Sequence, residues 1–473
     1  MQTFPARYSR WMPILAGVVL IFLFLHLRRS GFGVYTPQVI IDTKFNSTNI
    51  ITATNWTSTP TPTNQSEIEI EIEVPTPSCP PLPGIEDVLV ILKTGITEAQ
   101  DKVPVHIRTT LECIPNVLIV SDFEEDITGV RTHDVFRNTS ASVRQNPDFA
   151  LYNRARKSGR AGLTEQDLVK VANSASGMSD NPGWKLDKWK FLPMVVEARN
   201  YHSDAKWFVF LEADTFPIWP NMLGWLEHYD SNLKWYLGNQ MQIGPSIFAH
   251  GGSGFVLSNP AIHAVADEYM NPDRMGYWHA ETERHWAGDC ILGMALAAID
   301  IPLTWSWPHV TGQSVWEQDA VNDERGKRQW CYPPFTFHHM VPGDIEQMYD
   351  FVKEWFASEP GPYMLYSDVF QGFIRPKLAD RIENWDNLAP EELKKEGEEP
   401  SKWTLYECAE ECAKKPRCLQ YRVDEAGTCK TSEWALRGKS SPGVMAGTLM
   451  WRVDSRIETL GVCPEPKWIL PTR

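Results

Sequence analysis

The chain has few basic residues for its number of acidic ones. Its 473 residues include 45 Lys and Arg against 60 Asp and Glu, which gives a formal net charge of −15. Proteins that bind nucleic acids need clustered positive charge to displace the counterions of the phosphates. The charge balance therefore argues against a nucleic-acid partner.

The C-x2-C pairs that are typical of structural zinc sites are also missing, although the chain has nine cysteines. Four of them lie within residues 408–429, a region too small for a large core, so disulfides are expected to stabilise it. Spacing alone permits more than one pairing there. The remaining cysteines are odd in number, so at least one is expected to be free or intermolecular: Cys79, Cys113, Cys290, Cys331 and Cys463.

No small-x-small cleavage site follows the apolar run at residues 11–27, which predicts an uncleaved signal anchor after a cytosolic tail of residues 1–10. The arginines that flank this run are balanced and do not set its orientation. The cysteines and the N-x-S/T sequons favour an oxidising lumen for everything after residue 30. The sequons begin at Asn46, Asn55, Asn64 and Asn138. We therefore expect a single-pass type II membrane protein.

Composition divides the rest of the chain. Residues 28–84 are rich in Thr, Asn, Pro and Ser and are predicted to be a disordered stem. Residues 85–357 alternate short apolar runs with helical patterns, which predicts an α/β sheet layered by helices. A linker at 358–400, a small disulfide-stapled α+β domain at 401–463 and a tail at 464–473 follow.

The main candidate for chemistry is the sequence Glu212-Ala213-Asp214 at the end of the apolar run 207–211. Ligands of open α/β sheets bind at the carboxyl ends of strands. Residues two apart in an extended segment point the same way, so the two carboxylates repel each other unless a cation lies between them. A Mn²⁺ or Mg²⁺ ion there could hold a diphosphate.

Several blocks, in order, resemble glycosyltransferase family 31, the inverting β1,3-glycosyltransferases, and within it the Fringe and core 1 β1,3-galactosyltransferase branches. The resemblance covers roughly residues 87–356. It rests on Val90-Ile-Leu-Lys93-Thr94, the helix that carries Lys188, the block from Phe208 to Thr215, His250-Gly251-Gly252-Ser253-Gly254, Gly288-Asp289-Cys290 and Phe335-Thr-Phe337-His338.

The resemblance implies a GT-A-like sheet that binds a nucleotide sugar, and it implies roles for individual residues. Asp214 and His338 would bind the metal, with His339 as the alternative histidine, and Asp289 would be the catalytic base. The residues implied to bind substrate are Lys93, Thr94, Lys188, Glu212, Gly251, Gly252 and Gly254. The family usually has Asp where this chain has Glu212, which leaves the role of that residue open. Without the resemblance, Asp289 could equally be a helix N-cap, and Asp319 and Asp323 are the next carboxylates to consider as the base.

The cysteine cluster resembles a PAN/apple domain, and this resemblance implies the pairs Cys408–Cys429 and Cys412–Cys418. PAN domains bind proteins or carbohydrates, but a folded spacer without a ligand fits the sequence nearly as well.

The resemblance therefore predicts a Golgi enzyme that moves a sugar from a UDP-sugar to a hydroxyl of a glycan or glycoprotein acceptor. Two alternatives stay open: a chaperone-like member of the same fold without catalysis, and a carbohydrate-binding protein.

Overall fold

The structure is a computed structural model that describes residues 79–168, 181–358, 361–395 and 402–471. The predicted signal anchor and almost all of the predicted stem lie outside these residues. No helix within them is long and apolar enough to cross a membrane.

A mixed sheet of eight strands organises the larger part of the fold, with strand order β11-β7-β10-β5-β1-β2-β4-β3. Its strands are β1 (Val88–Lys93), β2 (Val117–Ser121), β3 (Asp126–Ile127), β4 (Val130–Asp134), β5 (Trp207–Glu212), β7 (Tyr236–Gly238), β10 (Phe255–Ser258) and β11 (Leu303–Trp305). The central strands are continuous apolar runs because helices cover both faces of the sheet.

The register of the central strands places two charged residues side by side. Strand β1 pairs in parallel with β5, and the last aligned pair is Lys93 and Glu212. Strand β10 runs antiparallel to β5 on its other side. Residues just after the ends of β1 and β5 therefore lie at one edge of the sheet, together with the segment that leads into β10.

Helices pack on both faces of this sheet and over its edges. They are α1 (Ala99–Arg108), α2 (Ala150–Ser158), α3 (Pro182–Asp187), α4 (Phe191–Tyr201), α5 (Trp219–Leu226), α6 (Asn259–Met270), α7 (Pro272–Arg284), α8 (Gly288–Ala297) and α9 (Pro342–Ala357). Two large clusters of buried apolar side chains, one on each face, join the first eight of these helices to the strands, and α9 packs in a third cluster.

Three short strand pairs complete this part of the fold. They are β6 (Phe216–Pro217) with β14 (Thr336–Phe337), β8 (Gln240–Ile243) with β9 (Ser246–Ala249), and β12 (Asp323–Glu324) with β13 (Lys327–Arg328). The first pair matters most for the site, because Phe337 pairs with Phe216 and so brings the next residue, His338, beside Asp214.

The C-terminal module contains a five-stranded sheet of order β15-β19-β17-β18-β16. Its elements are β15 (Ile382–Asp386), β16 (Glu391–Glu392), α11 (Leu405–Lys414), β17 (Gln420–Val423), β18 (Cys429–Ser432), β19 (Lys439–Thr448) and α12 (Met450–Leu460), with α10 (Tyr366–Asp368) preceding it. Disulfides join Cys408 to Cys429 and Cys412 to Cys418, the pairs that the resemblance implied.

The segment 358–400 differs from the linker expected there. Its Glu- and Lys-rich composition hid two strands, β15 and β16, which pair with β19 and β18. Before them, Phe370 and Phe373 are buried in a core shared with the larger part of the fold. Local composition could not show this, because the partners of both strands lie more than 30 residues later in the chain.

One of the remaining disulfides, Cys331–Cys463, and the tail tie the two modules together. Cys331 pairs with Cys463 and Cys79 with Cys113, while Cys290 is free and buried. After Cys463, Trp468 packs against the rings of His309 and Tyr363. The predicted tail is therefore docked on the larger module as far as the structure describes it.

Candidate functional site

A buried lysine lies between two carboxylates where β1 and β5 end. The Nζ of Lys93 is 2.6 Å from Asp187 Oδ2 and 3.2 Å from Glu212 Oε1. Burial would lower the pKa of Lys93, but the charges of Asp187 and Glu212 outweigh it and raise that pKa. Burial raises the pKa of Glu212, and Lys93 only partly offsets this effect. The Lys93 ammonium is thus already engaged by carboxylates.

A second buried lysine holds the loop that follows β1. Lys190 Nζ is 3.0 Å from Asp122 Oδ2 and donates a hydrogen bond of 2.8 Å to the carbonyl oxygen of Thr94. Asp122 also accepts a hydrogen bond from the backbone N–H of Ile96. The hydroxyl of Thr94 is buried and has no hydrogen-bond partner among the described residues.

Asp214 lies just beyond β5 and contacts two cationic side chains. Its Oδ1 is 3.3 Å from His338 Nε2, and its Oδ2 is 3.4 Å from Lys102 Nζ on α1. Burial would raise the pKa of Asp214, but His338 and Lys102 hold it well below its usual range. Burial would lower the pKa of His338, whereas Asp214 raises it and the net shift is upward. The Asp214 carboxylate is therefore ionised and faces a histidine ring.

These residues fit a divalent cation. One oxygen or nitrogen atom from each of Asp214, His338 and His339 falls within a cluster whose members lie within 4.8 Å of one another. The Nδ1 atoms of His338 and His339 are buried and have no hydrogen-bond partner in the described part of the chain. A carboxylate with imidazole nitrogens is a donor set that Mn²⁺ and other first-row ions accept.

The glycine-rich segment before β10, residues 250–254 and here called the glycine segment, packs against this cluster. A Cβ on Gly252 would collide with the ring of His338, so only glycine allows the backbone this close. Gly254 has φ of 79°, a left-handed conformation that side chains disfavour. The carbonyl oxygen of Gly252 accepts a 2.7 Å hydrogen bond from the hydroxyl of Thr215, which fixes the segment to the end of β5.

Asp289, in the first turn of α8, contacts the glycine segment. Its Oδ2 accepts a hydrogen bond of 2.9 Å from the N–H of Gly251, and its Oδ1 accepts one from the N–H of Cys290. Burial raises the pKa of Asp289 to about 6, although the bond from Gly251 opposes the shift. Asp289 thus accepts one hydrogen bond from its own helix, as a capping residue does, and one from the glycine segment. With this pKa it is mostly ionised at pH 7.

Three residues that the sequence suggested for the site make contacts elsewhere: Lys188, Asp319 and Asp323. Lys188 pairs with Asp148 at 2.9 Å and donates to the carbonyl oxygen of Glu283. Asp319 accepts a hydrogen bond from the N–H of Val321, and Asp323 pairs with Arg328. Their described contacts hold local structure and do not reach Asp214.

Sequence reasoning missed four charged groups of this edge: Lys102, Asp122, Asp187 and Lys190. They come from three segments, since Asp187 and Lys190 lie three residues apart, and no motif marks them. One signal was present, because Lys190 lies only two residues from Lys188, the lysine that the resemblance placed in a helix; in the structure both lie in the turn between α3 and α4. The residue that reaches the end of β1 is the one on the buried side.

Comparison with protein families agrees with this geometry. A family model described as Fringe-like matches residues 190–312. The matched span contains β5, Asp214, the glycine segment and Asp289, and it ends before His338. The match supports the glycosyltransferase family and implies a glycosyltransferase-type function. No curated protein matches the chain.

Proposed function

We propose that the chain is an inverting β1,3-glycosyltransferase that moves a sugar from a UDP-sugar to a hydroxyl of a glycan or glycoprotein. The observation that carries the proposal is the arrangement at the glycine segment. Asp214 and His338 contact each other beside Gly252, while Asp289 binds the N–H of Gly251, the preceding residue. A cation-binding pair and a base are therefore separated by one short stretch of backbone. The linkage and the nucleotide follow from the family resemblance.

The donor side lies at the ends of β1 and β5. Asp214 and His338 would hold a Mn²⁺ or Mg²⁺ ion, which when bound neutralises charge on the departing diphosphate. The hydroxyl of Thr94 has no described hydrogen-bond partner and would form a hydrogen bond with the UDP-sugar. Lys93 keeps Asp187 and Glu212 in place, so its role in this proposal is to position these carboxylates beside the sugar.

The acceptor side is marked by Asp289. In an inverting transfer, the acceptor oxygen forms a bond to the sugar C1 while the bond from C1 to the phosphate oxygen breaks, and UDP leaves with the electron pair. The proton of the acceptor hydroxyl passes to a carboxylate oxygen of Asp289. A pKa of about 6 suits this task, because the group is ionised at neutral pH and still basic enough to take a proton.

The test compares Asp214→Asn with Asp289→Asn in full-length protein. UDP release from UDP-sugars with Mn²⁺ identifies the donor, and UDP affinity in the presence of Mn²⁺ reports donor binding. Loss of the base should abolish transfer and leave UDP affinity near the parent value. Loss of the metal ligand should weaken both. Full transfer by Asp289→Asn would reject Asp289 as the base, and turnover that survives both EDTA and Asp214→Asn would reject the metal.

The proposal extends to location and architecture. We place the protein in the Golgi membrane as a single-pass type II protein, with a GT-A-like catalytic domain and a PAN/apple-like module in the lumen. Asn138, in the one sequon that the structure describes, is exposed. Glycosidase treatment should increase the electrophoretic mobility of the full-length protein, and unchanged mobility would contradict a lumenal orientation.

A further inference from the structure

We propose that His339 is a third protein ligand of the divalent cation, so that this chain binds its metal through one carboxylate and two histidine nitrogens. The inference rests on the proposed function and extends it, since that function requires only Asp214 and His338.

The backbone supplies the first argument. Successive side chains of an extended segment point to opposite sides. His339 follows directly on His338 after β14, yet its φ is 57°, in the left-handed region that residues other than glycine rarely adopt. This conformation turns the two rings to the same side, with centroids 3.8 Å apart and planes 31° from parallel. Such backbone conformations cost about 1–3 kcal/mol and concentrate at functional sites.

The segment is fixed at both ends. The N–H of His338 donates a hydrogen bond of 3.1 Å to the carbonyl oxygen of Gln313, and the N–H of Met340 donates one of 2.9 Å to the carbonyl oxygen of Asp214. The second bond joins the histidine pair to the residue that supplies the carboxylate. All three side chains therefore belong to one rigid arrangement.

The free nitrogens supply the second argument. The Nδ1 atoms of both rings are buried and have no hydrogen-bond partner among the residues described. A buried nitrogen without a partner costs about 1–3 kcal/mol, and a cation would offset that cost. The three ligand atoms lie within 4.8 Å of one another. Bonds of about 2.2 Å allow ligands up to about 4.4 Å apart, so a small contraction would close the site.

Two imidazoles would also select the metal. Mg²⁺ prefers oxygen ligands, whereas imidazole suits first-row transition ions. We therefore expect Mn²⁺ to bind this chain more tightly than Mg²⁺, with His339 contributing to the difference.

The test counts nitrogens on bound Mn²⁺. Pulsed electron paramagnetic resonance of the full-length protein with Mn²⁺ and UDP should show two histidine nitrogen couplings in the parent and one in His339→Phe, which keeps a ring against His338 but has no nitrogen. The same variant should bind Mn²⁺ about tenfold more weakly and lose part of the preference over Mg²⁺. His339→Asn should also lose a coupling, and asparagine tolerates the left-handed backbone, so the result does not depend on misfolding. His263→Phe, on α6, is the matched control and should leave both couplings in place.

The outcomes separate the two proposals. One nitrogen coupling in the parent, unchanged in His339→Phe, would overturn the role of His339 and leave the glycosyltransferase proposal intact. No Mn²⁺ binding by the parent in the presence of UDP would overturn both this inference and the metal-dependent part of the proposed function.

Discussion

Gly252 shows how one missing side chain can shape the proposed metal site. Its backbone lies so close to the ring of His338 that a methyl group would displace the imidazole. Gly252→Ala should therefore weaken Mn²⁺ binding more than tenfold and destabilise the fold by about 1–3 kcal/mol, the usual cost of overpacking. Titration of Mn²⁺ and thermal unfolding measure the two effects.

Gly276 provides the matched control, since a Cβ there meets no atom within 4 Å. It lies within α7, where alanine favours helix by about 0.5–1 kcal/mol. Gly276→Ala should raise the melting temperature slightly and leave Mn²⁺ affinity unchanged. Equal metal affinity in both alanine variants would contradict the role given to Gly252.

Asp289 makes a prediction about pH. Burial raises its pKa to about 6, so the carboxylate loses its charge as the pH falls through that value. A protonated Asp289 cannot accept the acceptor proton, and kcat/KM should drop about tenfold between neutral pH and pH 5. The measurement is the pH profile of UDP-dependent transfer at saturating Mn²⁺.

Asp319 controls this experiment, because burial raises its pKa to about 6 as well, while its described hydrogen bonds come from Val321 and Asn322. Asp319→Asn should not change the pH at which kcat/KM falls on the acid side of the profile. A change of that pH in Asp319→Asn, or kcat/KM that stays constant down to pH 5 in the parent, would argue against Asp289 as the titrating base.

At the scale of elements, the sequence predicted best where burial is continuous. The apolar residues at 88–92, 117–120 and 207–211 form β1, β2 and β5, and each strand continues for one residue beyond its apolar run. Residues 260–269 and 289–298 have helical patterns, and they lie in α6, which is one residue longer at each end, and in α8, which begins and ends one residue earlier. The strands are readable because they are apolar throughout, and the helices because apolar side chains recur at helical spacing along them.

The site could be predicted only in part, because contacts between distant parts of the chain bring its residues together. Asp214 and His338 follow apolar strands, and the structure brings them together, but their contact depends on pairing between β6 and β14, more than 100 residues apart in the chain. Asp187 and Lys190 reach the ends of the strands through long-range packing that no local pattern encodes. Likewise, nothing in the His338-His339 dipeptide shows that the second residue takes a left-handed conformation.

The loop from 311 to 318 links His338, in the proposed metal site, to the C-terminal module. Gln313 accepts the backbone hydrogen bond of His338, and Trp316 accepts one of 3.0 Å from the N–H of Gly438 while its ring stacks on Phe373. Trp316→Ala should loosen this loop and weaken UDP affinity with Mn²⁺ by roughly 2- to 30-fold, the range of 0.5–2 kcal/mol of coupling.

Trp434 is the matched control for that prediction. It belongs to the same C-terminal module and is 43% exposed. Trp434→Ala should leave UDP affinity unchanged, as measured by calorimetry with Mn²⁺ present. If both tryptophan variants bind UDP like the parent, the loop does not couple the module to the site.

At the scale of the whole molecule, the chain end packs against the segment that carries His338. Trp468 lies 6.1 Å from Phe335 between ring centroids, and Phe335 precedes β14 and His338. Trp225 donates a hydrogen bond of 2.6 Å to the carbonyl oxygen of Ile469, and the N–H of Ile469 donates one to His309 Nε2. The disulfide Cys331–Cys463 holds the start of this segment close by. The tail thus supports the larger module through contacts with Trp225, His309 and Phe335.

Trp468→Ala should therefore destabilise the protein by roughly 2 kcal/mol, less than the 3–5 kcal/mol typical of a fully buried tryptophan because this ring is only partly buried. The loss should appear as a lower midpoint of denaturant unfolding, together with weaker Mn²⁺ binding, since Phe335 and His338 share one short segment. Trp451→Ala removes a ring that is 62% exposed and should shift the midpoint little. Equal shifts in the two variants would mean that the tail adds no specific support, and a shift for Trp468→Ala with unchanged Mn²⁺ affinity would confine its role to stability.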